Sequence, residues 1–72
     1  MPLITIKTAP SSHIAAVAWD SDTRELQVSF LDGDTYAYAN VPESVAYGFT
    51  ASSSAGQYFH RHIKNRFAGV PI

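Results

Sequence analysis

Seventy-two residues suffice for one domain and are too few for two. A hydrophobic share of 46% with only 15% charged residues excludes a disordered chain, and the lack of cysteine excludes a disulfide framework or a thiolate zinc site. The net charge of −1 is unevenly divided: residues 1–43 hold all six acids against Lys7 and Arg24, whereas residues 44–72 carry Arg61, Lys64 and Arg66 with no acid.

A chain this short buries only about 60% of its unfolded surface, so self-association is one route to extra stability. No apolar run approaches the roughly 20 residues of a membrane span. Met1 to Lys7 has no basic region ahead of an apolar stretch, so no signal peptide is expected and the expected compartment is the cytoplasm.

Residues 1–10 read as an N-terminal arm or edge strand, ahead of a domain of residues 11–72. Leu3-Ile4-Thr5-Ile6-Lys7 alternates weakly, and Thr8-Ala9-Pro10-Ser11-Ser12 is turn-forming. Val17 and Trp19 share a strand face. Ile14 has the opposite parity, which predicts either a bulge or a strand buried on both sides. After the polar turn Asp20-Ser21-Asp22-Thr23, Leu26, Val28 and Phe30 alternate with Gln27 and Ser29. Asp32-Gly33 suits a two-residue hairpin turn, because glycine takes a positive φ without a β-carbon clash. The next strand, Thr35 to Ala39, places Tyr36 and Tyr38 on one face.

Beyond Asn40 the period becomes helical. Pro42 suits the first turn of a helix and Glu43 its positive end, while Val41, Val45 and Phe49, spaced by four, would dock on the sheet. Gly48 and the run Thr50 to Ser53 keep that helix short. Ser54-Ala55-Gly56-Gln57 then reads as a capping box. The second helix is predicted to run to about Phe67, before Gly69-Val70-Pro71. Ala55, Phe59, Ile63 and Phe67 make its apolar stripe, opposite Gln57, Arg61, Lys64 and Asn65. The fold class is α+β: an antiparallel three-stranded meander, with a possible extra N-terminal strand, packed against two C-terminal helices.

Several short motifs stand in a distinctive order: Ser11-Ser12-x-Ile14, Trp19-Asp20, Leu26-x-Val28-x-Phe30, Gly33-x-x-Tyr36-x-Tyr38, Val41-Pro42, Val45, Ser54-x-Gly56-x-Tyr58-Phe59 and Ile63-Lys64. Over residues 11–67 the chain resembles the KTSC domain, a small bacterial and phage module named for its place at the C-terminus of some lysyl-tRNA synthetases. It departs from the family pattern with Trp19 and His60, where tyrosine and asparagine are expected, and with Tyr47 one place late. The resemblance implies a non-catalytic module with RNA, and tRNA in particular, as its expected partner.

The candidate nucleic-acid-binding residues are His60, Arg61, Lys64, Arg66, Tyr36 and Tyr38. Paired strand tyrosines can stack unpaired bases, but they can equally cover a sheet beneath helices. Arg61 and Lys64, three apart, suit phosphate contacts, but they also suit a solvated helix face near the negative dipole end. His13, His60 and His62 are the histidines a metal could use, but His60 and His62 point about 200° apart on a helix and cannot share an ion without partners from elsewhere, so no metal or other cofactor is expected. Asp32-Gly33-Asp34 has too few ligands for a calcium loop. No nucleophile elbow and no phosphate loop is present, so no enzymatic activity is expected. Two readings stand side by side: an RNA-binding accessory module, or a protein-interaction domain that docks on itself or on another protein through a sheet edge or face.

Overall fold

Among the described residues, alternating apolar positions build an antiparallel sheet of five strands that neighbour one another in chain order. The structure is a computed structural model that describes residues 3–8 and 13–72. The turn read at Ala9 to Ser12 lies outside the described residues. The strands are β1 (Leu3–Ile6), β2 (Ile14–Asp20), β3 (Leu26–Phe30), β4 (Thr35–Tyr38) and β5 (Gly69–Pro71), with helices α1 (Glu43–Ala51) and α2 (Ala55–His62) between the last two strands.

The parity conflict in β2 is resolved by a bulge. The register slips between Ile14, which faces Phe30, and Ala16, which faces Ser29. The inserted residue lets Ile14, Val17 and Trp19 all be buried. At the other end of β2 the Asp20 carboxylate accepts from the backbone N–H groups of Asp22 (2.8 Å) and Thr23 (3.2 Å), and Arg24 takes a left-handed φ of 62°. This turn also fastens the entry to α1. The Arg24 carbonyl accepts from the Val41 N–H at 2.9 Å, and the Trp19 indole N–H donates to the Val41 carbonyl at 2.9 Å. Val41 is thereby buried with both backbone groups satisfied.

The β3–β4 hairpin departs from the expected two-residue turn. Phe30 donates to the Asp34 carbonyl (2.8 Å) and Gly33 donates back to the Phe30 carbonyl (3.0 Å), so the loop is three residues, Leu31 to Gly33. Gly33 still carries the positive φ, 103°, as the last residue of that loop type does. Asp32 spends one carboxylate oxygen on the Asp34 N–H at 3.1 Å, which holds the tip in shape.

Three further expectations need correction. The meander is longer than three or four strands, because Gly69–Pro71 pairs with β4, Tyr38 facing Gly69 and Ala37 facing Val70. Helix α2 ends at His62 rather than near Phe67; the Ile63 carbonyl instead accepts from Arg66 and Phe67 (3.1 Å each) in successive turns. Ile63 remains fully buried and Phe67 half-buried, so the spacing of four outlasts the helix. The capping box is half formed. Ser54 accepts from the Gln57 N–H at 3.4 Å, but the Ser54 N–H goes to the Ser52 hydroxyl at 3.2 Å, not to Gln57.

Both helices cover one face of the sheet, each over its own half. Tyr47 of α1 meets Trp19 of β2 edge-on at 6.0 Å, while Phe59 of α2 meets Phe30 at 5.4 Å and Tyr38 at 5.6 Å. Leu26, Val28, Val41, Phe49 and Ile63 lie between them in the core. The opposite face carries Thr5, Ala16, Ala18, Gln27, Ser29, Thr35 and Ala37 by strand alternation. Among the described residues no helix is long and apolar enough to cross a membrane.

Candidate functional site

Where the β3–β4 hairpin runs out beyond α2, the two elements leave an open cleft of about 660 Å³. That volume lies within the range of small-ligand sites, roughly 300–1,000 Å³. Strands supply its floor: Phe30 and Tyr36 meet edge-on at 5.9 Å, and the ring of Phe59 backs them from the helix. The rim is polar, with His13 from the start of β2, Asp32 from the hairpin tip, and His60 and Lys64 from α2 and the turn after it. His60 is placed by α2 itself, whereas Lys64 follows the helix in a turn closed by its N–H donating to the Phe59 carbonyl at 3.0 Å.

The candidate residues divide. Tyr36, Tyr38, His60 and Lys64 come together in this cleft, from a strand and a helix more than 20 positions apart. Arg61 and Arg66 do not line it; both are solvent-exposed on the neighbouring surface. The two tyrosines have different roles. Tyr38 is only 6% exposed, packed edge-on against Phe59, and reaches the cleft as part of its floor. Burial, and secondarily the neighbouring Tyr36 phenol, raises the Tyr38 pKa above the usual tyrosine value. Tyr36 is half-buried and is the ring of the pair available for stacking.

His62 belongs elsewhere. Its ring lies 4.5 Å from Tyr58, on the α1 side of the helix, and it does not line the cleft. Among the described residues no group of three or more His, Asp or Glu side chains is gathered as metal ligands would be.

His13, Phe30, Leu31 and Asp32 line the cleft but were not among the nucleic-acid-binding candidates read from sequence. Leu31 gave no signal in the sequence: its 60% exposure is visible only in the folded chain, and a single exposed apolar side chain is ordinary.

The cleft combines an aromatic floor, two rim cations or imidazoles from α2 and its following turn, and one carboxylate from the hairpin. Such a surface can stack a planar group, hold an anion beside it and accept N–H donors from it.

Comparison with known proteins supports the fold. The family model for the KTSC domain matches residues 10–67. A KTSC domain protein from Yersinia pestis superposes with a TM-score of 0.85 at 32% identity, covering 99% of both chains. Lysine–tRNA ligases of Trichormus variabilis and Nostoc sp. are each 38% identical over 56 residues, which is 78% of this chain and 10% of each ligase. A protein of Tsukamurella paurometabola is 34% identical over 62 residues, 86% of this chain and 92% of its own length. The chain thus spans about a tenth of the ligases it matches.

Proposed function

Because this chain belongs to the KTSC domain family, we propose that it is a non-catalytic RNA-binding accessory module whose cleft holds an unpaired nucleotide. The observation that carries the reading is the meeting of Tyr36, His60 and Lys64 in one cleft from distant parts of the chain. An unstacked base offers a face to the Tyr36 ring, and its phosphate offers charge to Lys64. Arg61 and Arg66, exposed beyond the cleft, would meet phosphates of the flanking strand. The likeness to a segment of lysine–tRNA ligases makes tRNA the natural first ligand to try. Three cations on a chain of net charge −1 imply weak, salt-sensitive binding rather than a tight complex.

An amide-shift titration with total tRNA at low and moderate salt tests the proposal. Shifts concentrated at Leu31 to Tyr36 and at Gly56 to Lys64, fading as salt rises, are the expected result. No perturbation at low salt would refute it.

A second reading has its own observation. Leu3 (46% exposed), Val70 (57%) and Ile72 (65%) place apolar groups on or beside the two outer strands, and the sheet face away from the helices carries small neutral side chains. A protein-docking or self-associating domain would use that side. Its mark is a concentration-dependent light-scattering mass that Lys64 and Arg61 substitutions leave unchanged.

A further inference from the structure

Among the described residues one carboxylate, that of Asp32, lines the cleft, and it bears on which base enters. Asp32 stands at the hairpin tip, lines the cleft with Tyr36 and Lys64, and has one oxygen engaged by the Asp34 N–H at 3.1 Å. That bond orients the carboxylate without neutralising it. A carboxylate is an acceptor only, with two oxygens and about four lone-pair positions. Beside a stacked base it rewards two adjacent N–H donors and repels an edge that mixes donors with acceptors. Of the common bases only guanine presents two neighbouring donors on its pairing edge, the N1–H and the 2-amino group. Adenine and cytosine each place an acceptor nitrogen next to their amino group, and uracil flanks its single N–H with two carbonyls. We infer that the cleft selects an unpaired guanine within an RNA strand, with its pairing edge on the Asp32 carboxylate, its ring against Tyr36 and its phosphate toward Lys64. This inference rests on the RNA-binding reading and narrows it to a base.

The chemistry of the rim fits this choice. A cleft built only to attract phosphate would gain nothing from an acid on its wall, since like charges repel. An acid there is useful when the ligand brings donors to meet it. The hairpin tip could have been closed by asparagine, which makes the same turn without the charge.

The test uses five RNA pentamers, UUXUU with X as guanine, adenine, cytosine, uracil or hypoxanthine, titrated into the full chain at low salt. The guanine pentamer should bind about tenfold more tightly than the adenine, cytosine and uracil ones, as a bidentate base contact does. Hypoxanthine keeps the N1–H but lacks the 2-amino group, so its affinity should fall between. Guanosine monophosphate alone should bind more weakly than the guanine pentamer; equal affinity would overturn the strand in favour of a free nucleotide. Asp32→Asn retains an acceptor for the Asp34 N–H, and hence the turn, but replaces the second acceptor with a donor. It should shrink the preference to about twofold or less while the amide spectrum stays dispersed. Equal binding of all five pentamers would overturn the guanine assignment and leave the RNA reading standing. An undiminished preference in Asp32→Asn would remove Asp32 from the recognition. Failure of every pentamer to bind would overturn both.

Discussion

The Tyr58 hydroxyl occupies the space that a β-carbon on Gly48 would need. The phenol of α2 lies across the α1 backbone at this glycine and donates to the Val45 carbonyl at 2.7 Å. Its ring is held between Phe49 (4.6 Å) and His62 (4.5 Å) and has little room to move aside. Glycine is a poor helix former, and here that weakness permits the close crossing of the two helices.

Gly48→Ala should therefore destabilise the fold, although in an open helix it would stabilise by up to about 1 kcal/mol. Displacing the anchored ring should give a net loss of about 1–3 kcal/mol, read as a lower urea midpoint. In a Tyr58→Ala background the same substitution should become neutral or stabilising, because the two sites are in contact. A raised midpoint for the single variant would show that the ring yields freely.

Burial raises the pKa of both Tyr38 and Tyr58, with Tyr36 adding to the shift at Tyr38. The folded state thus holds these protons more tightly than the unfolded chain, whose tyrosines titrate near pH 10. Stability from this source is complete below about pH 10 and is lost as pH rises through the higher folded values. Urea midpoints measured across the alkaline range should fall beyond pH 10. Tyr58→Phe should show a shallower fall than the wild type, from a lower starting stability. An unchanged alkaline slope in that variant would place the sensitivity elsewhere.

Gly33 has open space around the position of a β-carbon, so a substitution there meets only the backbone penalty of a φ of 103°. Gly33→Val should cost about 1–2 kcal/mol or somewhat more by chemical denaturation. Stability equal to wild type would mean the loop adopts another closure at no expense.

The parts of the fold legible in the sequence are those written in local periodicity. Leu26, Val28 and Phe30 declare β3, and Ala55, Phe59 and Ile63 declare the buried face of α2. The parity conflict at Ile14 left a bulge or a strand buried on both sides open, and the structure shows the bulge. Gly69–Pro71 was illegible as a strand because three residues show no period and proline argues against pairing; an outermost strand tolerates it. The end of α2 was placed late because Ile63 and Phe67 continue the apolar spacing through turns that are no longer helical. At the cleft, Tyr36, Tyr38, His60 and Lys64 carried chemical signals of their own. Asp32 and His13 gave no signal toward this cleft, because an acid in a turn and a histidine far along the chain meet the other lining residues only once α2 is folded against the hairpin.

The most direct test of RNA binding is the salt dependence of tRNA affinity in the wild type and in a variant carrying Arg61→Glu and Lys64→Glu. Both residues are solvent-exposed, so the variant should keep the wild-type amide dispersion, with a slightly lower urea midpoint because two acids replace cations at the negative end of α2. For the wild type, log affinity against log salt should fall with a slope of about −2, as three cations on single-stranded phosphates predict. The variant should show no measurable binding. A wild type that binds no tRNA at low salt, or a variant that binds as the wild type does with the same slope, would contradict the account.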